Sequence, residues 1–441
     1  MENNRKVDLN EPGSDDFKLY KYRWVVLFIF CFYSCMNFAQ YLQFSIITNI
    51  VKRYYDLETF DVSWTSLVFM IGYIVLFIPV SYLMEKYDLR KISLGISFLT
   101  TVGTLIKLFS IHQDKYYVVL IGQTFCAIGQ VFMMSIPSKL AAVWFGKDEV
   151  STATAFAVVG TQLGVAIGCF VPPKVVANHD DLEEVGDELY QLVLYNLIVT
   201  LVSFALTIMF FRAKPYTPPN QIQFMASTNP IKLDYFKSLK NIFTNRDFLF
   251  LIIAIGLSNG IWNTFGIEFN TIYLNYFPEG EEDAGLIALV AILVGGVGGS
   301  IIFGVILDKT HRFKLTTFTI IFLGSLFFLG AAFLLEEQQE TSVFVIIVLF
   351  GFFISGSLAV GFEYAMELTY PEPESITLAS LNAIILAFGL IFVVIVDGLI
   401  GAIGFLWTNI TIAIVLTLCS FSTLFISNNL RRLNVNNGIS N

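Results

Sequence analysis

One polar stretch, Arg212 to Arg246, separates two sets of apolar runs, and that division limits the folds open to this chain. The stretch carries Pro215, Pro218, Pro219 and Pro230 with Arg212, Lys214, Lys232, Lys237, Lys240 and Arg246. It cannot lie in hydrocarbon, where prolines and charges leave polar groups unsatisfied. Six apolar runs precede it and six follow. They predict helices over 24–51, 62–84, 90–111, 116–143, 151–175 and 189–211, then over 247–276, 285–307, 315–335, 342–367, 375–400 and 405–427. Most hold the ~20 apolar residues that cross ~30 Å of hydrocarbon. A chain of 441 residues that is 56% hydrophobic and 14% charged is far from the composition of a soluble domain.

The two sets repeat one another at an almost constant offset. Ser81-x-x-x-Glu85-Lys86 returns as Gly304-x-x-x-Asp308-Lys309. Phe145, Glu149 and Gly164 return as Tyr370, Glu374 and Gly389. The expected organisation is an all-α membrane protein of two pseudo-symmetric six-helix halves. Residues 1–22 form a disordered cytoplasmic tail, 23–211 the N-terminal half, 212–246 a cytoplasmic linker, 247–429 the C-terminal half and 430–441 a second tail. Transporters place their sites between such repeats.

Orientation follows from the basic residues. All but five of the 26 Lys and Arg fall in the tails, the linker and the loops of one side; Lys52, Arg53, Lys107, Lys115 and Lys174 are left for the other. The positive-inside rule sets both termini in the cytoplasm. The first residues lack the apolar core of a secretory signal, and no organellar sorting segment is evident, so the plasma membrane is the expected location. Asp180, Asp181, Glu183, Glu184, Asp187 and Glu188, and later Glu279, Glu281, Glu282 and Asp283, read as solvated outer loops. Cys31, Cys35, Cys126, Cys169 and Cys419 all fall inside apolar runs without metal-ligand spacing, as small core residues do. No metal and no cofactor is expected. Without a basic domain, no nucleic-acid partner is expected either.

A substrate site between the halves would draw on helices 1 and 7. At 100° per residue, Asn37, Tyr41, Phe44 and Thr48 share one face of helix 1, with Gln40 at its edge. Nearly the same offset leads to Asn259, Asn263, Gly266 and Asn270 on helix 7, with Trp262 at the edge. Amides are costly in hydrocarbon unless paired, so these faces line a cavity or join helices. Gln162 on helix 5, Gln123 and Gln130 on helix 4, Tyr73 on helix 2 and Asn382 on helix 11 complete the candidate lining. The set offers rings and amide dipoles without a full charge, which suits a small organic cation held by cation–π attraction.

Charges nearer the cytoplasmic side read as a gate. Lys139 on helix 4 sits at the depth of Glu363 and Glu367 on helix 10, in the opposite half, and is expected to pair with one of them. Glu85, Arg90, Glu149, Asp308, Arg312 and Glu374 lie at the loops around them. Such pairs part as the inner side opens; bracing within one half is the other reading of Glu149 and Glu374. Glu268 lies off the cavity face and Asp397 near the outer end of helix 11, so no proton carrier is assigned and flux is expected to follow the substrate gradient.

The paired loop motif, with Arg90, Lys91 and Arg312, resembles that of the major facilitator superfamily. The runs PSKLAAVWFGKDE (137–149), QLGVAIG (162–168) and FEYAMELTYPE (362–372) resemble the feline leukaemia virus subgroup C receptor family, whose members transport haem, choline or ethanolamine. The resemblance spans roughly 21–432 and implies the major facilitator fold with twelve transmembrane helices. It also implies an aromatic pair on helices 1 and 7 that cages the choline ammonium, with glutamines on helices 5 and 11. Those positions are Tyr41, Asn263, Gln162 and Leu386 here, so the helix 7 aromatic and the helix 11 amide have changed type. Trp262, beside Asn263, would then supply the second ring.

Enzyme readings lack the parts. His112, His179 and His311 all lie in or beside loops, and no phosphate-binding loop is present, which leaves no catalytic cluster and no ATP-driven pump. The expected function is transport of a choline- or ethanolamine-type cation by alternating access, as facilitated diffusion through a monomer. A haem exporter is the alternative substrate reading, with Tyr and Met as the available ligands. A receptor or scaffold that moves nothing is the alternative from another class.

Overall fold

A computed structural model describes residues 19–146, 149–217, 235–427 and 430, without the side chains of Glu85, Ser151 and Asp308. The expected disordered tail up to residue 18, the linker residues Pro218, Pro219, Pro230 and Lys232, and the tail from 431 lie outside the described residues. Among the described residues eleven continuous helices are long and apolar enough to cross a membrane. In chain order α1 is Tyr22–Tyr55, α2 Thr59–Lys86, α3 Leu89–Lys107 and α4 Tyr116–Met133, continued by Ile136–Trp144. Next come α5 at Val150–Phe170 and α6 at Leu182–Phe210. The second half holds α7 at Arg246–Tyr276, α8 at Glu281–Leu307, α9 at Phe313–Glu336 and α10 at Glu340–Thr369. The last helix, Glu374–Ser422, contains two expected spans. Gly404 breaks it with φ +80°, a left-handed conformation that a side chain would strain. It therefore divides into α11 (374–403) and α12 (405–422).

Three boundaries differ from the sequence expectation, each for a local reason. The acidic cluster after α5 is not a loop. Asp181 caps α6 by accepting from the Glu183 amide at 2.9 Å, and Glu183 and Glu184 fill the first turn. Glu281, Glu282 and Asp283 do the same for α8. Carboxylates complement the exposed amides and positive dipole of a helix N-terminus. The linker, in turn, contains a helix, Tyr235–Thr244, that the prolines upstream of it had concealed.

Breaks inside the helices matter more for the site. In α1 a 3-10 turn, Ser45–Ile47, interrupts the α-helix. Thr48 Oγ1 bonds back to the Ser45 carbonyl at 2.8 Å, and Ser45 Oγ meets Ser66 Oγ at 2.8 Å. Hydroxyls that bond locally compete with the helical ladder. A π-helical turn, Ile252–Gly256, lies near the start of α7. The ends of α6 and α7 that flank the linker define the linker end of the bundle; the opposite end is called the far end.

Glycines fix which helices meet. A Cβ on Gly164 or Gly168 of α5 would lie 2.4 Å from the carbonyl oxygen of Cys35 or Ala39 on α1. In the other half Gly389 of α11 lies against α7, where a Cβ would stand 3.4 Å from the Gly260 oxygen. Small residues let membrane helices approach to backbone contact. Gly164 and Gly389 are repeat equivalents, so α5 holds α1 as α11 holds α7. Apolar side chains such as Val75, Ile301 and Leu418 cover the outside, as a lipid-facing surface requires.

Candidate functional site

Between the halves lies a cavity of about 290 Å³. Its far-end wall is aromatic. Tyr41 packs edge-on against Phe69 with ring centroids 5.6 Å apart, and Trp262 stands 5.5 Å from Phe350. The Tyr41 hydroxyl reaches Asn263 Oδ1 at 3.5 Å, joining the halves. Asn263 in turn donates to the Asn259 carbonyl at 2.8 Å, and Asn259 donates to Ser357 Oγ at 3.0 Å. These bonds hold the α7 amides that hydrocarbon would otherwise penalise. Gln162 lies against Gly296 of α8, where a Cβ would come 3.2 Å from its amide carbon. Towards the linker end the lining continues through Met134 and Pro137 on α4 and Phe362 on α10.

Eight of the eleven candidate residues line this cavity: Tyr41, Tyr73, Gln130, Gln162, Asn259, Trp262, Asn263 and Asn382. Leu386, the fourth position drawn from the family resemblance, lines it too. Among the described residues no Asp, Glu, Lys, Arg or His lines it. Its recognition groups are rings, amides and thioethers, with the hydroxyls of Thr161 and Ser355 and the thiol of Cys169.

Asn37, Gln40 and Gln123 do not line it. Asn37 donates to Thr100 Oγ1 at 2.8 Å and to the Cys126 carbonyl at 3.0 Å, tying α1 to α3 and α4. Gln40 and Gln123 are occupied by Lys107, a lysine the sequence assigned to the outer side. Its side chain is 1% exposed, and its Nζ donates to Gln40 Oε1 at 2.5 Å and to Gln123 Oε1 at 2.9 Å. The ammonium also lies 5.7 Å from the Phe44 ring. Gly103 and Gly122 make room, since a Cβ on Gly122 would lie 2.4 Å from Lys107 Cγ. The signal was present: a lysine followed within one turn by more apolar residues, on a helix whose neighbour carries a glutamine beside a glycine.

At the far end the halves are bonded together. Asn270 donates to the Ile46 carbonyl at 2.8 Å and accepts from the Asn49 amide at 3.2 Å. Asn49 Nδ2 donates to Glu281 Oε1 at 2.9 Å, Lys174 pairs with Glu282 at 2.6 Å, and Ser63 donates to Glu268 at 3.1 Å. Glu268 is buried and absent from the lining.

The charges assigned to the gate are placed as follows. Glu149 pairs with Arg23 at 3.0 Å, inside its own half. Arg90 donates to the Ile208 carbonyl at 3.0 Å and Lys139 to the Met84 carbonyl, again within the N-terminal half. Those three contacts brace one half. Glu363 is exposed and Glu367 buried on α10, Glu374 opens α11, and Arg312 is exposed beside α9. The side chains of Glu85 and Asp308 lie outside the description.

Known proteins resemble this chain in sequence and in fold. Residues 29–393 match the Major Facilitator Superfamily. The choline/ethanolamine transporter flvcr2a of Danio rerio is 37% identical over 420 residues, covering 95% of this chain and 89% of the relative. The choline/ethanolamine transporter FLVCR2 of Homo sapiens is 36% identical over 431 residues, covering 96% and 81%. Among solved structures, a bacterial homologue of the human lysosomal transporter Spinster, inward-facing and unoccupied, superposes with a TM-score of 0.71 at 13% identity, covering 94% of this chain and 99% of that one. The shared superfamily match, the near-complete overlap with these relatives and the two-half fold around a central cavity identify a membrane transporter rather than an enzyme, and the chain belongs to the feline leukaemia virus subgroup C receptor family of the major facilitator superfamily.

Proposed function

We propose that this transporter carries a small organic cation of the choline or ethanolamine type by alternating access, one chain forming the whole pathway. The observation that carries the reading is the cavity: Tyr41 and Trp262 come from opposite halves, and amides surround them without an ionised side chain. A desolvated ammonium gains ~2 kcal/mol from a well-placed ring, and uncharged amides serve its hydroxyl or amine. At about 290 Å³ the cavity sits at the lower limit for drug-sized ligands, which matches an amino alcohol and falls short of a porphyrin. The naming of the relatives above as choline/ethanolamine transporters supports the same class.

With the basic linker end in the cytoplasm, the described conformation faces inward, and the bonds around Asn270 and Asn49 are the outer closure. The charges at the linker end then come together when the cavity turns outward, with Lys139 approaching Glu363 or Glu367. Residence in the plasma membrane completes the reading. The test is uptake of radiolabelled choline and ethanolamine by cells expressing the protein, with surface labelling to show where it resides. Saturable uptake of either is expected. Protein present at the surface that moves neither would overturn the proposal.

A further inference from the structure

The linker helix Tyr235–Thr244 is too short and too polar to span a membrane, yet it leaves rings uncovered. It ends at Asn245, whose extended backbone turns the chain into α7. Two amides pin that corner: Asn245 Nδ2 donates to the Leu368 carbonyl at 2.8 Å, and Asn241 Nδ2 donates to Glu372 Oε1 at 2.8 Å. Ser238 and Ile242, one turn apart, are buried against the C-terminal half. At 100° per residue Phe236, Lys240 and Phe243 share the opposite face. All three are exposed, Phe236 to 77%.

That face continues the lipid-facing wall of the bundle. The Phe243 ring lies 6.3 Å from Phe248 of α7. Arg246, the first residue of α7, sets its guanidinium 5.5 Å from the Phe250 ring, which stacks at 5.6 Å on the exposed ring of Phe425 beyond α12. Among the described residues neither Lys240 nor Arg246 has a carboxylate partner. The carboxylates nearby are engaged, Asp247 by Ser427 and Glu372 by Asn241. Exposed rings beside unpaired cations match the boundary of a bilayer, where aromatic bodies enter the acyl region and Lys and Arg meet phosphate.

We propose that the linker helix is an interfacial element that binds anionic phospholipid. Phe236 and Phe243 enter the leaflet at the linker end, and Lys240 and Arg246 hold the headgroup phosphate. Basic side chains gain from an anionic surface, so the site selects headgroup charge. It lies outside the cavity and does not depend on the substrate assigned above.

The experiment offers the purified full-length protein an equimolar mixture of phosphatidylglycerol and phosphatidylcholine with identical chains and reads the retained lipid by native mass spectrometry. Wild type is expected to favour phosphatidylglycerol by at least about tenfold. Lys240→Gln and Arg246→Gln should each lower that ratio about fivefold, and Phe236→Ser should lower retention of phosphatidylglycerol. Both basic side chains are exposed, and unchanged thermal unfolding checks that their variants fold. Lys21→Gln, an exposed basic residue in the other half, should leave the ratio as it is. Equal retention of the two lipids by wild type, a result independent of any variant, would overturn the proposal. A ratio that falls as far in Lys21→Gln would overturn it too, by showing a diffuse charge effect. Displacement of the lipid by glycerol phosphate would assign the cations to a soluble phosphate instead, and a wild-type dimer that Phe236→Ser dissolves would give the face to a second copy of this chain.

Discussion

Asn270 on α7 donates to the carbonyl of Ile46 on α1 at 2.8 Å, across the boundary between the halves. That carbonyl lies within the 3-10 turn Ser45–Ile47, where the α-helical ladder of α1 is interrupted. The amide oxygen of Asn270 also takes the Asn49 N–H at 3.2 Å. One side chain thus bonds the backbone inside the break and just beyond it. Asn270→Ala removes both bonds, worth about 1–3 kcal/mol together. The balance between the two cavity orientations should move away from the described one by roughly five- to 150-fold. Labelling of a Ser66→Cys variant by an impermeant thiol reagent, with and without Asn270→Ala, reads this directly. Unchanged labelling would assign the closure to the other far-end contacts.

The aromatic wall makes a second prediction. Tyr41→Ala and Trp262→Ala should each weaken choline binding by roughly 1–2 kcal/mol, about five- to thirtyfold. Tyr41→Phe keeps the ring and gives up a hydroxyl contact of 3.5 Å, at the limit of a hydrogen bond, so most of the affinity should remain. Wild-type affinity in both alanine variants would remove the rings from recognition.

Gln123 is predicted to act on stability rather than on affinity. It accepts from Lys107 and donates to the carbonyls of Gln40 at 2.9 Å and Thr65 at 3.2 Å. Gln123→Leu strips a partner from a buried ammonium and from two backbone oxygens, a loss of about 3–5 kcal/mol. Thermal unfolding of the detergent-solubilised protein should show a large downward shift. A variant that unfolds like wild type but binds choline poorly would return Gln123 to the substrate site.

Coupling can be tested at Glu268. Its carboxylate accepts from Ser63 across the halves and stands outside the cavity lining, so it has no contact through which a substrate would move its proton. Uptake should follow the substrate gradient and change little when a proton or sodium gradient is imposed. Strong proton dependence abolished by Glu268→Gln would show the opposite.

The sequence determined the architecture of this protein because that is written in short-range and periodic terms. Apolar runs of membrane length, a proline-rich basic interruption and landmarks repeated at an almost constant offset require two six-helix halves whatever the packing. The same periodicity put Tyr41 and Trp262 on matching faces, and both line the cavity. Periodicity, however, tells which residues share a face and not what stands opposite. Asn37, Gln40 and Gln123 met the same sequence criteria as Gln130 and Asn382, yet Thr100 and Lys107 occupy them while the latter two line the cavity. The sequence left Lys107 among the basic residues of the side away from the cytoplasm. Gly103 and Gly122 bring α3 and α4 so close that its stem turns inward. Glu149 likewise left a gate and bracing within one half both open, and it pairs with Arg23 in its own half. Whether a buried amide or charge meets a partner or an open space depends on contacts between segments far apart in the chain, and only the packed helices decide that.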